Sequence, residues 1–350
     1  MKKLPLLICI CLLLVPTLSA CVRQTDSQHT DVVCDTTQAS TDAVIIITSD
    51  AQTESLPQTS IDASSTSAPT QPSSQSPAVP ESTSAASSAS NPTEPASSAP
   101  TDTFQVKQLN TERDGLSVFG NIYIPETQNK KLPAVILSHS ANMTSDSMKS
   151  YCERIAKMGF VACSFDFCGA SPQSRSDGKQ ADMTVFTEVD DLKAVLKTVK
   201  ELDYVDAQNI FLFGTSQGGL VSALTAADYP ADIKGLILFY PAFNIPDSVQ
   251  KYAKLTPSDM QSAYISTLLD YDVYEHIKPY QGDVLIVHGT TDFVVPVTYS
   301  EKAAEVYENC ELHLIPGGTH GFNADNYVSF GDFDRKTWAY AENFLKEHYC

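Results

Sequence analysis

The first 103 residues contain neither an aromatic side chain nor a glycine: all 31 Phe, Tyr and Trp residues of the 350-residue chain lie at or after Phe104, and the first glycine is Gly115. Large aromatic side chains supply much of a core's buried area, and glycines supply the tight turns between its elements. Any folded core must therefore be drawn from residues 104–350, a length that suits one large domain better than two. Between positions 51 and 100, Ser, Thr, Pro and Ala occupy 38 of 50 places. Such a segment cannot bury enough apolar surface to offset its ordering entropy, so residues 21–103 read as a disordered, solvated tether. About 80 residues at roughly 5–6 Å × √n reach on the order of 50 Å.

The extreme N-terminus has the three parts of an export signal: Lys2 and Lys3, an apolar run over 4–18, then small residues. The run is short for a membrane span. Leu18-Ser19-Ala20-Cys21 resembles the lipobox of bacterial lipoproteins, which implies removal of residues 1–20 as a signal peptide and lipidation of Cys21. The expected partner at this end is the bacterial cell membrane, reached through the lipid on Cys21, and the expected location is the cell surface.

The whole chain carries a net charge of −19, and residues 104–350 hold 20 basic against 32 acidic residues with no Lys/Arg cluster. That balance argues against nucleic acid and against anionic headgroups as partners, since both need a concentrated basic face. Five of the nine cysteines fall in the domain, at 152, 163, 168, 310 and 350. An odd, scattered set without zinc-ribbon spacing reads as small buried residues rather than staples or metal ligands.

Within the domain, apolar runs of strand length alternate with stretches of helical period. Strands are expected over 116–124, 133–138, 160–165, 209–213, 235–239, 284–288 and 311–315, and helices over 146–158, 184–202, 217–228, 298–307 and 335–348. Near-continuous apolar strands separated by helices imply a mostly parallel sheet covered on both faces, a doubly wound α/β architecture.

Three strand ends carry chemistry. Gly214-Thr215-Ser216-Gln217-Gly218-Gly219 is a G-x-S-x-G motif lying between a strand and a helix, the setting of a nucleophile elbow. A serine hydroxyl needs a base, and the base needs an orienting acid. The 284–288 strand leads into Gly289-Thr290-Thr291-Asp292, and the 311–315 strand into Gly317-Gly318-Thr319-His320. The order Ser216, Asp292, His320 is the chain order of the α/β-hydrolase triad. His139 and His288 read as loop supports at strand ends, and Asp190 and Asp191 as charges favoured near a helix start. An oxyanion hole needs the N–H of the residue after the nucleophile, Gln217, and one from the loop His139-Ser140-Ala141-Asn142, with Ala141 the candidate. No metal or cofactor is implied.

These motifs, together with Leu137-Ser138-His139, Asp182-Met183-Thr184-Val185 and His320-Gly321-Phe322, give residues 104–350 a resemblance to the alpha/beta hydrolases that include bacterial cinnamoyl and feruloyl esterases. The domain also resembles serine aminopeptidase-like hydrolases. The resemblance implies Ser216, Asp292 and His320 as the catalytic triad, and a small lid over about 244–280 that shapes an acyl pocket. Two positions depart from the family: it usually has His-Gly where this chain has His139-Ser140, and His where this chain has Thr215. If Ser140 must adopt positive φ, its Cβ would add strain of about 1 kcal/mol or more.

The expected function is a surface-tethered serine hydrolase that cleaves carboxylic esters through an acyl-enzyme, with a small-molecule or saccharide-linked ester as substrate. A serine peptidase of the aminopeptidase-like type and a non-catalytic binding protein on a hydrolase scaffold stand as alternatives. The motifs leave acyl specificity and oligomeric state open.

Overall fold

The structure is a computed structural model that describes residues 103–126, 131–257, 262–322 and 330–349. The signal, Cys21 and the tether fall outside these residues.

An eight-stranded sheet organises the domain: β1 (Phe104–Arg113), β2 (Leu116–Pro125), β3 (Leu132–Ser138), β4 (Val161–Phe165), β5 (Val205–Thr215), β6 (Gly235–Phe239), β7 (Asp283–Gly289) and β8 (Cys310–Ile315). Its spatial order is β1-β2-β4-β3-β5-β6-β7-β8. β1, β2 and β4 pair antiparallel, and every pair from β4 through β3 to β8 is parallel. The helices are α1 (Lys149–Lys157), α2 (Val185–Lys200), α3 (Gln217–Asp228), α4 (Ile245–Ala253), α5 (Ala263–Ser266), α6 (Val273–Ile277), α7 (Thr298–Val306) and α8 (Phe330–His348).

Side chains that alternate along one strand divide between two apolar layers. On β3, Ala134 and Ile136 join Leu192 and Leu196 of α2, Leu220 of α3 and Ala303 of α7. Val135 and Leu137 face the other way, with Ile155 of α1 and Phe344 and Leu345 of α8. β5 splits likewise, Ile210 and Leu212 to the first layer, Phe211 and Phe213 to the second. A strand buried on both faces can be apolar throughout, which is why β3, β6 and β7 read as unbroken runs.

From β3 the chain passes first to β4 on one side, then crosses back to β5 on the other. Such a reversal opens a crevice at the carboxyl ends of the two neighbouring strands, the usual ligand position in doubly wound sheets. The residues found there are His139, after β3, and Ser216, after β5.

Three expectations need correction. The helix expected over 146–158 opens as a 3-10 turn, Ser145–Met148, before α1 begins. The buried Asp166 carboxylate accepts from both the Ser145 backbone (2.8 Å) and its hydroxyl (2.6 Å), fixing that turn independently of α1. Neither Asp190 nor Asp191 is a helix-start charge: α2 begins at Val185, behind a Thr184 cap that bonds the Thr187 N–H, and both lie beyond its first turn. Asp191 is buried, accepts from Arg113 Nε (2.8 Å) and from the Cys168 N–H (2.8 Å), and so ties the edge strand to α2. β1 itself went unanticipated because it buries only Leu109 and is held by polar bonds, including Thr111 to Thr198 at 2.7 Å. Of the five domain cysteines, Cys152, Cys163 and Cys168 are buried free thiols as expected and Cys310 is half-buried, while Cys350 lies outside the described residues.

Arg113→Met leaves the buried Asp191 carboxylate with the Cys168 N–H but without its cation, and loss of one member of a buried ion pair costs about 3 kcal/mol or more. Urea unfolding of this variant should show that loss, and adding Asp191→Asn should recover part of it.

Candidate active site

The site is built on a backbone that ordinary residues avoid. Ser216 sits between β5 and α3 at φ 51°, ψ −118°. That conformation costs about 1–3 kcal/mol and persists only where its surroundings over-determine it. Here the Ser216 N–H donates to the Phe239 carbonyl (3.0 Å), while its own carbonyl accepts from Ala242 (2.9 Å), Gly219 (3.0 Å) and Leu220 (3.3 Å). The flanking glycines permit the crowding. A Cβ on Gly214 would stand 2.2 Å from the Gly218 carbonyl oxygen, and one on Gly218 2.3 Å from that of Ser138.

His320 and Asp292 come from two loops packed backbone against backbone. A Cβ on Gly289 would meet the Gly318 carbonyl oxygen at 2.2 Å. Thr291 donates to that same carbonyl through its N–H (2.9 Å) and its hydroxyl (3.0 Å), and the Gly317 N–H donates to Thr290 Oγ1 (2.9 Å). The loops deliver a continuous line: Ser216 Oγ lies 3.0 Å from His320 Nε2, and His320 Nδ1 lies 2.7 Å from Asp292 Oδ2. With Nδ1–H donating to the carboxylate, Nε2 is left with its lone pair toward the serine hydroxyl.

Asp292 is buried, yet its pKa lies well below the usual carboxylate range. Burial pushes it up, but hydrogen bonds from His288 and His320, the His320 charge and the Val295 N–H together push it further down. The Val294 and Val295 N–H groups donate to Oδ1 at 2.8 and 2.9 Å. His288 Nε2 faces both Asp292 Oδ2 (3.2 Å) and the Val295 carbonyl (3.0 Å), so it carries the proton, and Nδ1 accepts from Ser300 Oγ (2.7 Å). His288 thus holds the acid, a fuller role than the loop support its place at a strand end implies. The edge of the Tyr240 ring packs on His320 with centroids 4.7 Å apart.

The loop after β3 is held by His139, which burial keeps neutral by lowering its pKa. Its Nδ1–H donates to the Ser140 carbonyl (2.8 Å), and Nε2 accepts from the Phe167 N–H (3.2 Å). The residue at positive φ in this loop is Asn142 (φ 58°) and not Ser140. Asn tolerates that region, so the strain feared at Ser140 does not arise. Instead Ser140 Oγ lies 2.9 Å from Thr215 Oγ1. The two departures from the family pattern meet each other, one hydroxyl bonding the other behind the elbow.

Gln217 opens α3, and both ends of its side chain are engaged. Nε2 donates to Glu188 Oε2 of α2 (2.6 Å), and Oε1 accepts from the Tyr264 hydroxyl of α5 (3.0 Å). Glu188 is only 1% exposed, and burial pushes it up from 4.5 to about 8, against the opposing Gln217 hydrogen bond and with help from the charge of Asp191. Sequence reasoning missed this residue. The available signal was a carboxylate at i+3 of Val185, on the apolar face that continues through Val189 and Leu192. A possible metal-ligand group among the described residues, Glu311, Glu347 and His348, lies on β8 and α8 and shares no residue with the serine line.

Fold and site together define the class: the chain has the α/β-hydrolase fold. Residues 129–273 match the family model described as Hydrolase_4, serine aminopeptidase, S33. Among solved structures, Est1E from Butyrivibrio proteoclasticus with ferulic acid bound is 28% identical with a TM-score of 0.59, over 68% of this chain and 98% of that one. The Pyrococcus furiosus esterase Pf2001 shares the fold at 20% identity and TM-score 0.54, over 71% of this chain and 94% of its own. Human serine hydrolase BPHL is 24% identical over 185 residues, 45% of this chain and 60% of the human protein, so the match spans less than two thirds of that relative.

Two outcomes follow. Ser140→Gly should leave turnover nearly unchanged and lower stability by about 1 kcal/mol through the lost Thr215 hydrogen bond; a rescue of turnover near 10² in kinetic assays would mean a displaced loop instead. Glu188 has a raised folded pKa, so its contribution to stability is full below pH 4.5 and is lost as pH rises toward 8. Thermal melting between pH 5 and 9 should show that decline in the wild type and a flatter profile in Glu188→Gln.

Proposed function

We propose that this chain is a carboxylic ester hydrolase working through an acyl-enzyme on Ser216, tethered to the outer face of the cell membrane by a lipid on Cys21. The observation that carries the catalytic part is the Ser216–His320–Asp292 line at 3.0 and 2.7 Å.

In the proposed reaction His320 Nε2 removes the Ser216 proton as Oγ bonds to the ester carbonyl carbon. The oxyanion that forms is held by the N–H groups of Gln217 and Ala141, at the N-terminus of α3 and in the loop after β3. Collapse breaks the carbon–oxygen bond to the alcohol, which leaves with the proton from His320. Water then attacks the acyl carbon with His320 again as base, and the acid departs as Ser216 recovers its proton. Asp292, held anionic by two histidines and two backbone donors, keeps the His320 tautomer fixed throughout.

An ester is preferred to an amide because the Est1E structure, 28% identical over nearly its whole length, carries ferulic acid. An ester of an aromatic acid with a small alcohol or a saccharide is therefore the substrate class proposed here. The α4–α6 segment between β6 and β7 serves in this reading as the lid over the acyl group. The aminopeptidase description of the matching family model favours a second reading, cleavage of a short aminoacyl amide by the same groups. The signal features at 1–20, the lipobox at Cys21 and the aromatic-free 21–103 stretch support the tether.

Ser216→Ala should lower hydrolysis by several orders of magnitude with the melting temperature retained, because members of such a unit fail together; a variant that keeps a tenth of the activity refutes the assignment. A panel of short-chain aryl esters, feruloyl sugars and aminoacyl anilides should be cleaved at the esters, and anilide turnover alone would favour the peptidase. Cys21→Ala should release the protein from the membrane fraction at unchanged specific activity.

A further inference from the structure

Glu188 is a buried carboxyl that the proposed reaction does not use. It lies on the apolar face of α2 among Val185, Val189 and Leu192, all buried. A leucine would fill such a place without the desolvation penalty that burial imposes on a carboxyl. Its carboxyl nevertheless accepts from the Gln217 amide at 2.6 Å, and the far end of that amide is taken by Tyr264 at 3.0 Å. The donors and acceptors run in one direction, from the Tyr264 hydroxyl to the Gln217 carbonyl and from the Gln217 amide to the Glu188 oxygen. Gln217 is also the residue whose backbone N–H is assigned above to the oxyanion.

We propose that Glu188 is a positioning residue: through the Gln217 amide and the Tyr264 hydroxyl it fixes the first turn of α3, and with it the Gln217 N–H, against the β6–β7 insertion. The proposal rests on the serine-hydrolase reading of Ser216. A donor to a transition-state charge is useful only if it is aimed before the charge appears. Backbone hydrogen bonds hold Ser216 from within the elbow, and the Gln217 side chain adds a restraint from outside it. The Glu188 end of the amide restrains it from α2 and the Tyr264 end from α5. Tyr264 also gives α5, a four-residue helix, a polar tie to the elbow.

The test uses the purified chain, a fluorophosphonate that phosphonylates Ser216, and p-nitrophenyl butyrate. Glu188→Leu should melt no lower than the wild type, while its labelling rate and kcat fall by about 10 to 10² and KM stays within about threefold, as expected for a group felt only in the transition state. Glu188→Gln, whose carbonyl can accept the same N–H, should restore both rates to within about threefold of wild type. A merely structural carboxyl predicts that rate and stability fall together. A stable Glu188→Leu with wild-type labelling and kcat, or one changed only in KM, overturns the proposal. Should Glu188→Leu fail to fold, Tyr264→Phe decides: slower labelling at unchanged melting temperature supports the relay, and unchanged labelling overturns it. A wild type that does not label overturns the hydrolase reading and the relay together, whereas a labelled wild type with unaffected variants overturns the relay alone.

Discussion

The arrangement depends on one strained residue. Ser216 holds a backbone conformation that an unconstrained serine would leave at once, and four backbone hydrogen bonds from β6, the segment after it and α3 prevent it from doing so. The crowding that makes those bonds possible is available only because Gly214 and Gly218 lack side chains where two carbonyl oxygens pass. The result is a hydroxyl raised over a helix N-terminus, pointed at an imidazole, in a position an ordinary turn would not give it. Removing either glycine would therefore act on the position of the serine as well as on packing.

A second constraint brings the base to that hydroxyl. His320 and Asp292 are 28 residues apart in sequence, yet their loops touch through Gly289 and Gly318, and threonine hydrogen bonds stitch them. The carboxylate then draws on four donors, two imidazoles and two amides. So many partners outweigh the burial that would otherwise neutralise it, which is why the acid remains ionised in a nearly dry place. An imidazole with one nitrogen bound to a fixed anion and the other 3.0 Å from the serine hydroxyl is set up to take its proton.

The parts legible in the sequence are those with local punctuation. α3 spans 217–228 and β6 spans 235–239, as the periodicity implies, because glycines or a turn bound both. The serine, acid and histidine each follow a strand and a glycine, so their chain order carried their identity. The opaque parts depend on residues distant in sequence. β1 is polar and gains its place by pairing with β2 and bonding α2, which no periodicity reports. The Ser140 and Thr215 departures look damaging singly and turn out to be one hydrogen bond across 75 residues. Glu188 stood in an apolar stripe as an anomaly whose partner, Gln217, lies on another helix.

The proposed reaction passes through a covalent bond between Ser216 and the acyl group. Acid-quenched turnover of an aryl ester, followed by peptide mass mapping, tests it most directly. The expected result is a mass increase equal to the acyl group on the peptide that contains Ser216, absent after Ser216→Ala. Turnover with the acyl group on a different residue, or with no adduct under conditions where deacylation limits the rate, would contradict it.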